Sequence, residues 1–123
     1  MVFALTACSR KPDVKAETTE LEKAFPAASI SAQAQAQPTA PARTATDADT
    51  FVRAALSAVR TNDYAAGVIA LQKIPQMPNV TPAQLMAAER AKQAITADLI
   101  ARASRGDAKA QADLAAIEKT RSQ

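Results

Sequence analysis

Few residues in this 123-residue chain could do covalent or metal chemistry: it has one cysteine, Cys8, and no histidine. A serine or threonine nucleophile needs a base beside it, and without imidazole only lysine is left for that work. The carboxylates Asp63, Glu89, Asp98, Asp107, Asp113 and Glu118 are spaced as helix caps and solvated helix faces, not as an opposed acid–base pair. Transition-metal sites draw on Cys and His, so one cysteine and no histidine argue against such a site. The expectation is a protein with no catalytic residues, no metal, no cofactor and no small-molecule substrate.

The remaining chemistry sits in Leu5-Thr6-Ala7-Cys8. Thr6 and Ala7 are small enough for an extended segment to enter a narrow peptidase cleft, Leu5 lies in the apolar run, and the Cys8 thiol can carry acyl chains. The tetrapeptide resembles the lipobox of bacterial lipoproteins, in which cleavage precedes a lipidated cysteine. That resemblance implies residues 1–7 as the remnant of a signal peptide, Cys8 as the first mature residue, and membrane lipid as a partner through acylated Cys8. Several acyl chains would hold firmly, at about 0.8 kcal/mol per buried CH₂. The apolar stretch Val2 to Ala7 is short and has no basic residue before it, so the start of the reading frame is expected upstream. By the same resemblance, Ser9 after the cysteine implies the bacterial cell envelope, at the periplasmic face of the outer membrane.

Charge argues against nucleic acid as a partner. The net charge is +3, but the cations are dispersed among acids, with no basic stripe and no interleaved aromatics. Gly occurs twice and Trp not at all, which suits helices joined by short turns around a thin, alanine-rich core. The chain is expected to be all-α.

Residues 8–46 are expected to be the lipidated cysteine, one short helix and a linker. Thr19 and Glu22 have capping-box spacing, Leu21 and Phe25 lie i,i+4, and Pro26 stops the run. Leu21 and Phe25 either dock on the domain that follows or stay frayed. Residues 27–46, rich in Ala and Gln with Pro38 and Pro41, read as a disordered tether giving reach from the membrane.

Residues 47–123 read as a helical domain, a small four-helix antiparallel hairpin bundle. The first helix is expected over 48–61 from the stripe Phe51, Val52, Ala55, Leu56 and Val59. Asn62-Asp63 breaks it, and a second begins at Tyr64 and ends before Pro75. Thr81-Pro82-Ala83-Gln84 predicts a capping box with proline at the first helical position, opening a long third helix to about Ser104. Gly106 supplies a left-handed exit, and Asp107 caps a fourth helix with the stripe Ala110, Leu114 and Ile117.

The segment Asn62-Asp63-Tyr64-Ala65-Ala66-Gly67 resembles the joint and second helix of a tetratricopeptide repeat, and 81–120 matches that pattern poorly. The domain is therefore TPR-like, and the resemblance implies a helical-hairpin module for protein–protein interaction or scaffolding. Tyr64, Ile69, Met77 and Met86 are apolar enough to line a partner surface, although core packing is the more natural use for them. The expected function is a membrane-anchored envelope lipoprotein whose hairpins engage another envelope protein; the alternative is a self-assembling structural lipoprotein with no specific ligand.

Overall fold

The computed structural model describes residues 13–26 and 47–123, and among them stand five α-helices and one 3₁₀ turn. Helix α1 is Val14–Ala24, α2 Asp47–Arg60, α3 Tyr64–Lys73, α4 Pro82–Ser104 and α5 Ala108–Arg121. The 3₁₀ turn, Ile74–Gln76, closes α3 with Pro75 near its start. Among the described residues there is no strand, and no helix is long and apolar enough to cross a membrane. The segment holding Leu5, Thr6, Ala7 and Cys8, and the tether expected over 27–46, lie outside the described residues.

Short polar side chains set the starts of α1, α3, α4 and α5, each supplying an acceptor to amides that have no partner inside the helix. Asp63 caps α3 by accepting from the Ala66 amide, and Asp107 caps α5 by accepting from Lys109 and Ala110. At α4 the capping box forms in full: Thr81 Oγ1 accepts from the Gln84 amide at 3.2 Å, and Gln84 Oε1 accepts from the Thr81 amide at 3.0 Å. The start of α1 departs from the sequence expectation. Asp13 caps it, so Thr19 falls inside the helix and its hydroxyl donates to the Lys15 carbonyl at 2.9 Å. Asp13 wins because a cap there allows three turns of helix, whereas a cap at Thr19 would leave little more than one before Phe25.

Left-handed backbone occurs at three joints, one of them at Asn79 between α3 and α4, with φ +62°. Gly106 has φ +91°, and Asn62, whose short amide tolerates this region, has φ +63°. The Asn62 and Gly106 joints fold α2 against α3 and α4 against α5. The hairpins then pack through α3, which touches α2, α4 and α5, while α4 touches α1, α3 and α5. At Gly67 the α2–α3 approach is close but not jammed: a Cβ there would lie 3.6 Å from the Ala55 carbonyl oxygen and 3.7 Å from Ala58 Cβ.

The short N-terminal helix is part of this body and not of a separate tether. Leu21 and Phe25 are each 1% exposed and join the same core as Val52, Leu71, Ile95 and Leu99. Gln84 fastens it again, its Nε2 donating to the Ala24 carbonyl at 3.1 Å. One amide thus completes the cap of α4 and satisfies the end of α1. On the surface Arg60 reaches Glu22 at 3.1 Å, an exposed pair worth little by itself.

Candidate functional site

Helix α4 carries apolar or small residues on opposite sides, and among the described residues only one side is covered. Ala88, Ala91, Ala94, Ile95 and Leu99 are buried, the alanines letting neighbouring helices approach closely. Lys92 lies at the margin of this face, half-buried, with Nζ on the Glu89 carboxylate at 2.6 Å. The opposite face holds Met86, 57% exposed, and Ile100, 53% exposed. With Gln93 between them they recur every seven residues, and so share one stripe about 21 Å long.

Alongside that stripe runs an open groove of about 590 Å³ between α3, α4 and α5. Val68 of α3 and Ile117 of α5, both buried, form its floor. Ala97 and Ile100 continue the apolar wall, and Gln72, Gln93 and Arg121 stand around the mouth. The acid at the rim, Glu89, is engaged on both sides, accepting from Lys92 and, at 3.1 Å, from Gln93 Nε2. Its hydrogen bond to Lys92 holds its carboxyl below the ordinary value against the opposing effect of desolvation.

Beyond the end of α4 a cation knot fixes the joint. Arg102 Nε donates to Asp107 Oδ2 at 3.0 Å, and its guanidinium also lies 3.8 Å from Asp98. The same guanidinium sits over the Tyr64 ring, 5.3 Å from its centroid. The Ala110 amide, with Arg102 and Lys109 adding to it, keeps the Asp107 carboxyl below its usual range; Asp107 in turn raises Arg102. One arginine therefore ties the first residue of α3, the end of α4 and the cap of α5.

These positions separate the four residues expected to line a partner surface. Tyr64 packs under Arg102 and against the core, Met77 also packs on the core, and Ile69 is half-buried. Met86 is solvent-exposed and lies about 24 Å along α4 from Arg102. The structure does not gather them into one patch. Ile100, Gln93 and Arg121 were not signalled by apolar periodicity, because Leu99 and Ile117 account for the stripes of their helices; the seven-residue spacing of Met86, Gln93 and Ile100 was the available cue.

The groove joins an apolar floor to a polar rim. Its exposed charges are held in pairs or face water, and among the described residues no cluster of three or more metal-ligating side chains occurs. Comparison with known proteins returned nothing: no family model matches the chain, and no curated protein or solved structure is significantly similar to it.

Proposed function

We propose that this protein is an envelope lipoprotein, anchored through acylated Cys8, whose helical body binds another protein along the groove between α3, α4 and α5. The observation that carries the binding role is the uncovered stripe of α4: two large apolar side chains are left in solvent beside an apolar-floored cleft of about 590 Å³. Large apolar side chains left exposed along one helix face, Ile100 among the groove-lining residues, favour a site of association over an inert surface. The anchor rests on the Leu5-Thr6-Ala7-Cys8 pattern, and the scaffold role on a sequence whose Ser and Thr residues have no His to activate them.

The experiment pairs the two parts of the reading. Cells expressing the full reading frame, wild type or Cys8→Ala, are labelled with radioactive palmitate and fractionated, with a photo-crosslinking residue in place of Gln93. Label and membrane recovery should vanish with Cys8→Ala, and the wild type should give a discrete crosslinked adduct. No label in either chain would remove the anchor, and a groove position that crosslinks to nothing would remove the binding role. An adduct of two copies of this chain would support the self-assembling alternative.

A further inference from the structure

The uncovered stripe also carries information about what would bind it, given the binding role proposed above, on which this step rests. Its apolar ends, Met86 and Ile100, lie about 21 Å apart on the same face of α4, farther than a compact small molecule spans. Charge along it is lopsided. Glu89 is already neutralised by Lys92 at 2.6 Å, whereas Arg90 on α4 and Arg121 at the groove mouth are exposed and have no ion pair among the described residues. The described residues carry equal numbers of acidic and basic side chains, so this local excess does not follow from a generally basic body.

We infer that the α4 stripe and its groove bind an acidic amphipathic helix of a partner protein, with apolar side chains against Met86 and Ile100 and carboxylates against Arg90 and Arg121. A helix of about four turns matches the length of the stripe, and apolar anchors spaced by three, four and seven residues match its period. Guanidinium groups at the rim suit this role because they can take a carboxylate bidentately while staying partly hydrated. The apolar contacts supply most of the affinity and the arginines select the sign of the partner's charge.

The test uses the full chain and a fluorescent synthetic helix of about four turns, with leucines on one face and glutamates flanking them. Fluorescence anisotropy compares it with a peptide carrying lysine at every glutamate position. Wild type should bind the glutamate peptide at least ~10-fold more tightly than the lysine peptide, with the difference shrinking as salt is raised. The double variant Arg90→Glu, Arg121→Glu should reverse that order, and Ile100→Asp should abolish binding of both. All these positions are exposed, so circular dichroism should show each variant folded. Equal affinity for the two peptides, or no binding of the glutamate peptide to wild type, overturns the inference. A heterologous crosslink at Gln93 combined with no glutamate-peptide binding would overturn the acidic-helix inference while leaving the binding role intact. A concentration-dependent dimer that Ile100→Asp dissolves, with no peptide bound, would overturn it in favour of a second copy.

Discussion

The two sides of α4 solve the same problem differently. On one, the chain supplies its own cover: α1 lays Leu21 and Phe25 into the core, each 1% exposed. On the other, the groove beside Met86 and Ile100 has no such cover among the described residues, and both side chains are more than half exposed. The covered side is held by apolar burial and by the uncharged bond from Gln84 to Ala24. The open side is bordered by charge, through Glu89 with Lys92. One helix can thus act as a structural spine on one flank and as a receptor on the other, because its alanines ask for little packing volume.

The largest expected effect breaks the covered side. Phe25→Ala removes the largest fully buried side chain and should lower the unfolding free energy by about 3 kcal/mol in a urea titration. A loss under about 1 kcal/mol would mean that α1 contributes little to the fold. Gln84→Glu is a finer probe of the same side. The carboxylate can still accept from Thr81 and preserve the capping box, but it has no proton for the Ala24 carbonyl. About 1 kcal/mol should be lost, with faster amide exchange in α1 and unchanged exchange in α3; equal acceleration in both would show that the bond does not act on α1 alone.

Acid should separate the paired charges of the groove rim and the α4–α5 joint from the covered side. Asp107 and Glu89 are held below their ordinary carboxyl values in the folded protein, so on acidification the unfolded chain takes up these protons first. Their stabilisation is present above the unfolded values, near pH 4, and disappears as pH falls through the lower folded ones. Amide signals around Arg102–Ala110 should therefore change before those of the α1–α4 contact, and Asp107→Asn should flatten that dependence. Simultaneous loss at both places would refute the contrast. The smallest stability change belongs to the open side: Met86→Ala and Ile100→Ala should each stay within about 0.5 kcal/mol of wild type by thermal melting.

What the sequence made legible was local. The Thr81-Pro82-Ala83-Gln84 box, the Asp63 and Asp107 caps, and the left-handed exit at Gly106 involve residues within a turn of each other, and their chemistry does not depend on the rest of the chain. The start of α1 was misread because Thr19 and Asp13 both satisfy the capping pattern, and helix length decides between them. Docking of α1 could be posed but not decided: Leu21 and Phe25 show an apolar face without naming its partner, and the tie to Gln84 spans 60 residues. The groove was illegible for the same reason, since Val68, Ile100 and Ile117 come together only when two hairpins pack. Tyr64 suits either a surface or the core by sequence, which does not announce that Arg102 will lie over its ring.

The docked first helix changes how far the body could stand from a bilayer. From Cys8 to the cap residue Asp13 is five residues, no more than about 18 Å of fully extended chain. With an acyl anchor on Cys8, the leash is those few residues, and the 20-residue stretch 27–46 connects two pieces of one body and adds nothing to the stand-off. The protein would hug the lipid headgroups, within reach of partners lying flat against the same membrane, and each undocking of α1 would pay out the rest of the line.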